Sequence, residues 1–206
     1  MFGTLEIDPP WPERGGGKIR RGADRHYTCP RVADLPRIII ESPAFDPDPR
    51  GCACWLWTTV ASLPAGLHLL EALGFAYVTH AIWNKPGAPG IGQRLRVCHE
   101  ILLLGTMGRV PIPAPSARPR SVMLAPRRGH SVKPPEALCW TESTLPREPR
   151  AALFARSRRV GWWTWGTFEH DEQARTPDRL VDSPVARPPG TPDTWFCPPP
   201  AWSPAP

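Results

Sequence analysis

Four consecutive residues near the N-terminus, Asp8-Pro9-Pro10-Trp11, concentrate chemistry in one short turn. The Asp8 carboxylate and the Pro9 carbonyl are adjacent acceptors, able to receive the two N–H bonds of a single amine. The exocyclic amine of adenine is a poor nucleophile because its lone pair is conjugated into the ring. Two acceptors around it hold the nitrogen and favour a more tetrahedral, more nucleophilic form. The prolines fix the turn so that the carbonyl points outward, and positioning of this kind removes part of the barrier. Trp11 offers a ring face on which a base could stack, a contact worth about 1–3 kcal/mol per base. A base in a duplex must first be flipped out. A sulfonium methyl donor carries its own activation, so such a site needs orientation rather than a metal or a covalent nucleophile.

These residues need a rigid support, and the surrounding pattern supplies one. Phe2 to Ile7 is an apolar run that stops at the two prolines, which predicts a strand with Asp8 at its carboxyl edge. Arg31 to Glu41 reads as a helix and Cys52 to Val60 as a strand. Leu63 to Leu73 reads as a second helix, with Pro64 in its first turn and Gly74 as its stop. Strands follow at Phe75 to Trp83, through the unbroken Ile101-Leu102-Leu103-Leu104, at Ser121 to Ala125, Ala151 to Ala155 and Trp162 to Trp165, with a short helix from Pro135 to Ser143. Strands alternating with helices predict an α/β fold, a mostly parallel, doubly wound sheet that binds ligands beyond the carboxyl ends of its strands.

The 206 residues suffice for one catalytic domain, expected over residues 1–168. From Glu169 the periodicity disappears and prolines crowd the chain, so residues 169–206 read as a disordered tail; proline totals 30 residues. No apolar stretch is long enough for a membrane span, and no leader-like segment precedes the first strand, which predicts a soluble, cytoplasmic protein. The six cysteines, Cys29, Cys52, Cys54, Cys98, Cys139 and Cys197, lack C-x-x-C pairing, so neither a zinc site nor a disulfide framework is suggested. A net charge of +6 suits a polyanionic partner. The basic, glycine-rich stretch Arg14 to Arg25 and the pair Arg94 and Arg96 are candidate phosphate contacts.

Eight short motifs occur in one order: Ile7-Asp8-Pro9-Pro10-Trp11, His26-Tyr27, Trp55-Leu56-Trp57-Thr58, Gly74-Phe75, Ile82-Trp83-Asn84-Lys85, His99-Glu100 through Gly105, Gly129-His130-Ser131-Val132-Lys133-Pro134, and Leu153-Phe154-Ala155-Arg156. On these motifs the chain, from about Leu5 to Gly166, resembles the MT-A70 family of adenine methyltransferases, especially its short bacterial and phage members. The resemblance implies a Rossmann-like S-adenosylmethionine-dependent methyltransferase fold, with S-adenosyl-L-methionine as donor and no metal. It implies that Asp8 and Pro9, with Pro10 and Trp11, hold the target amine, and that Tyr27 closes over the base. It also implies that Asp8 lies near the donor's methionine part, that Lys133 contacts the donor's carboxylate, that Arg156 lies beside its ribose, and that Glu100 is an acid near the site.

Arg158 and Arg159 read either as a solvated charge run or as contacts to phosphate or donor, and Lys133 as either a ligand contact or a cation at a helix start. Trp55 and Trp57, two apart on a strand, share a face and read as core. The chain departs from the family pattern at Ala152, where an acid is usual, at Thr167, expected on the donor side where asparagine is common, and at Arg96-Val97-Cys98. The expected activity is methylation of adenine N6 in DNA, within a bacterial or phage setting associated with the nucleoid. RNA is the alternative substrate, and a non-catalytic nucleic-acid-binding partner subunit the alternative class. A homodimer or heterodimer is compatible with either.

Overall fold

The fold is described from a computed structural model, which covers residues 1–12, 30–87, 94–128, 132–144 and 147–166. Strand β1, Thr4–Ile7, is buried along its whole length and ends where Pro9 and Pro10 remove two amide donors from any continuing ladder. A 3-10 turn at Val32–Asp34 leads into helix α1, Leu35–Ile40, with Pro36 in its first turn. Strand β2, Gly51–Thr58, is followed by helix α2, Leu63–Ala72, and Gly74, at φ +86°, turns the chain into strand β3, Ala76–Asn84. Strands β4, His99–Gly108, β5, Val122–Leu124, β6, Arg150–Leu153, and β7, Trp162–Trp165, complete the set. The helix expected from Pro135 to Ser143 forms as a 3-10 turn at Pro135–Ala137 and a π-helical turn at Cys139–Ser143. The proposed tail, with Tyr27 and Thr167, lies outside the described residues.

The seven strands form one sheet in the order β5-β3-β4-β2-β1-β6-β7. Four of its pairings are parallel, β1 with β2 and β6, β3 with β5, and β6 with β7. β4 runs antiparallel to both its neighbours, β2 and β3. It returns directly alongside β3, so its first residues meet the last ones of β3, with Asn84 opposite His99 and Trp83 opposite Glu100. The carboxyl ends of β1, β2 and β3 therefore share an edge with the amino end of β4.

Period-2 alternation divides the core between the two faces. Leu5, Ile7, Cys54, Leu56 and Leu103 pack with Leu35, Ile39, Leu69 and Leu70 beneath the two helices. Ala53, Trp55, Trp57, Trp83, Leu102 and Leu104 pack with Ala137 and Trp140 on the other. Cys52 and Cys54 are buried free thiols, and burial pushes Cys52 up to about 12, which leaves it unreactive. Among the described residues no helix is long and apolar enough to cross a membrane.

Close approach of α2 to the sheet depends on Gly105, where a β-carbon would lie 2.7 Å from the Leu70 side chain and 3.0 Å from Phe75 Cβ. Gly105→Val is expected to destabilise the fold by about 1–3 kcal/mol through overpacking. Chemical denaturation checks this; an unchanged midpoint would show that α2 shifts freely.

Candidate active site

Asp8 leaves the end of β1 on the same face as Thr4 and Glu6, and its amide donates to Leu153 O of β6 at 3.2 Å. Lys133 Nζ meets Asp8 Oδ1 at 2.8 Å and Glu100 Oε2 at 3.2 Å. Glu100 Oε1 in turn accepts from Lys85, just past the end of β3. Two carboxylates and two ammonium groups thus alternate in one chain along the shared strand edge. Exposure of the four side chains is only 12–23%. Charges taken this far out of water need partners, and here each has at least one.

The balance differs from group to group. Burial pushes the Asp8 carboxyl above its ordinary range and Glu100 adds to that, against the opposing pull of Lys133 and Arg156. Burial pushes Glu100 the same way, but two lysines, one on each oxygen, outweigh it and hold the group below its usual value. Lys133 is destabilised as a cation by burial, yet Asp8 and Glu100 hold its proton above the normal range. Lys85, with one acid and with repulsion from Lys133 and Arg127, falls below its ordinary value, burial being the largest cause.

Two indoles floor this network. Lys133 Nζ lies 5.3 Å from the ring centroid of Trp57, and Lys85 Nζ lies 4.4 Å from that of Trp83. The two rings meet edge to face at 6.3 Å, and Trp83 Nε1 donates to Ala125 O at 2.8 Å. Trp55 and Trp57 are both buried, in agreement with their reading as core.

Trp11 departs from the sequence-based expectation. It presents no open face for a base, being 5% exposed within the apolar core, and its Nε1 donates to Trp57 O at 2.8 Å. An indole buried this way gains apolar burial and satisfies its donor, so it anchors the turn that carries Asp8 and Pro9. Arg156, exposed after β6, lies within electrostatic reach of Asp8. Arg158 is also exposed, while Arg159 turns inward onto Glu6. Arg94 and Arg96 are exposed just before β4, at the same sheet edge. Ala152 is buried between Glu6 on β1 and Thr164 on β7 in the strand register.

Lys85 and Glu6 carry no site role in the sequence reading, and Arg159, open there between a solvated charge and a phosphate or donor contact, instead pairs with Glu6. Lys85 closes a motif already singled out, but its salt bridge depends on the β3–β4 return. Glu6 carries a usable signal, an acid two residues before Asp8 on the same face of one strand.

The sequence profile of the MT-A70 family matches residues 2–168. The chain belongs to the MT-A70 family. It is accordingly a methyltransferase of the S-adenosylmethionine-dependent fold. It is 26% identical over 200 residues to the type II methyltransferase M.MunI of Mycoplasma, covering 85% of this chain and 81% of that protein. To the N6-methyladenosine RNA methyltransferase MTA1 of Cryphonectria parasitica it is 28% identical over 180 residues, covering 81% of this chain and 51% of that one. The N(6)-adenosine-methyltransferase MT-A70-like protein of Arabidopsis thaliana is 27% identical over 176 residues, 80% of this chain and 23% of its own length.

The donor that this fold uses is a sulfonium with a zwitterionic amino-acid end. The edge suits it: Asp8 and Glu100 offer acceptors to a cationic centre, and Lys133, with one N–H beyond its two carboxylate contacts, can meet a carboxylate. Among the described residues no three His, Cys, Asp or Glu gather as a metal site would require.

Two outcomes follow for this network. Lys133→Met should raise the titration midpoints of both Asp8 and Glu100, read by carboxyl carbon-13 shifts; unmoved midpoints would remove Lys133 from the pairing. Trp11→Phe leaves Trp57 O without its donor and should cost about 1–3 kcal/mol in denaturant unfolding.

Proposed function

We propose that this methyltransferase transfers a methyl group from S-adenosyl-L-methionine to the N6 amine of adenine in DNA. The observation that carries the reading is Asp8 at the open end of β1, followed at once by the Pro9 carbonyl and paired with half-buried Lys133. The donor supplies an electrophilic methyl on sulfonium. Asp8 and Pro9 O accept the two N–H bonds of the adenine amine and fix its lone pair toward that methyl. Alkylation makes the nitrogen acidic, and the Asp8 oxygen not bonded to Lys133 takes the released proton and passes it to solvent. A carboxyl with an elevated proton affinity is suited to that step.

Lys133 and Arg156 are the proposed donor contacts, with Thr167 and Arg158 nearby in sequence, and Glu100 sets the position of Lys133. Tyr27 is the proposed lid residue over the base. Arg94 and Arg96, with Arg127 near Lys85, give the edge a basic rim suited to phosphates. DNA is favoured over RNA because the chain spans 81% of a type II methyltransferase but about half or less of the RNA-modifying relatives. Residues 1–168 are proposed as the catalytic unit.

Labelled donor with matched DNA and RNA strands tests the reading: label in N6-methyladenine of DNA is expected, and none in either strand overturns it. Asp8→Ala should reduce transfer by about 10³-fold or more, while calorimetric donor affinity changes far less. In the wild type, transfer requires ionised Asp8. Its rate should therefore fall as pH drops through a midpoint above the usual carboxylate range.

A further inference from the structure

Glu6 is 7% exposed and faces the same side of β1 as Asp8. Its carboxylate accepts from Arg159 Nη1 at 2.7 Å and Nη2 at 3.2 Å, and from Trp57 Nε1 at 3.3 Å. Arg159 lies 4.7 Å over the ring of Trp162, whose own Nε1 donates to Glu142 Oε1 at 2.7 Å. Nothing in the methyl-transfer chemistry uses these groups, yet taking an ion pair this far from water is costly.

Trp57 connects the pair to the site at two points. Its carbonyl holds Trp11 and so the turn bearing Asp8, while its ring lies beneath Lys133 Nζ. Arg159 also belongs to the same loop as Arg156, which acts on Asp8 through space. A bidentate arginine-carboxylate pair is geometrically specific, unlike a single lysine contact. We infer that Glu6 and Arg159 are positioning residues that lock the Trp57 indole, and through it set Lys133 against Asp8 and tie the Arg156 loop to β1. The inference rests on the proposed site, although the placement of Lys133 against Asp8 can be measured without any turnover.

Asp8 is faced by Lys133, Glu100 and Arg156, so its titration reports how closely Lys133 is held. Glu6→Gln/Arg159→Gln removes the ion pair without altering net charge. In the absence of donor, the Asp8 carbon-13 midpoint is expected to rise by about one pH unit, as a nearby cation loosens. Methyl transfer is expected to fall about tenfold, mainly in kcat. If the double variant fails to fold, Arg159→Lys serves instead: it keeps a cation beside Glu6 but loses the two-point contact, and should shift the midpoint the same way. A folded variant with an unmoved Asp8 midpoint overturns the inference. A shifted midpoint in the variant, beside a wild-type protein that transfers no methyl group, leaves the positioning role standing and rejects the proposed reaction.

Discussion

Lys133 sits largely out of water between Asp8 and Glu100, and much of the architecture at the sheet edge exists to make that tolerable. A lone buried ammonium would lose its proton or unfold its surroundings; two carboxylates on separate strands hold it charged. Each acid is fixed by its own strand, Asp8 by the end of β1 and Glu100 by the start of β4. Lys85 then balances the second acid, so the network carries no net charge while leaving Asp8 short of full compensation.

That asymmetry separates the two acids. Glu100, with a lysine on each oxygen, is held below its usual range. Asp8, with one lysine on one oxygen and partial burial, binds a proton more readily. Two carboxyls in one chain of charges thereby come to differ in proton affinity. Environment alone produces that division. Under the network, indoles replace water as the surface against which the ammonium groups rest, providing cation–π attraction in place of hydration.

Tryptophan serves here mainly as scaffolding. Trp11, Trp57 and Trp83 each bury a large apolar area and each place one N–H on a specific acceptor, Trp57 O, Glu6 and Ala125 O respectively. Such residues fix both distance and direction, which aliphatic packing alone does not. The stacking role expected for Trp11 failed because a sequence motif gives no measure of burial; a tryptophan after a strand end can fold inward or face solvent.

Local signals determined most of the element list. Proline at the end of β1 and at helix starts, Gly74 after α2, and the apolar runs of β1, β2 and β4 act within a few residues, so local sequence reveals them. The ordered motifs likewise marked Asp8, Glu100, Lys133 and Arg156 as worth attention, and the family match spans them all. Only the tertiary structure decided that β4 runs antiparallel amid parallel neighbours, bringing Glu100 beside Lys85 and within reach of Lys133 and Asp8. Likewise, Arg159 could find Glu6, 153 positions away in sequence, only once β6 had paired with β1. Strand direction and long-range ion pairs are settled by which surfaces can be buried together, a property of the whole sheet that no short stretch of sequence contains.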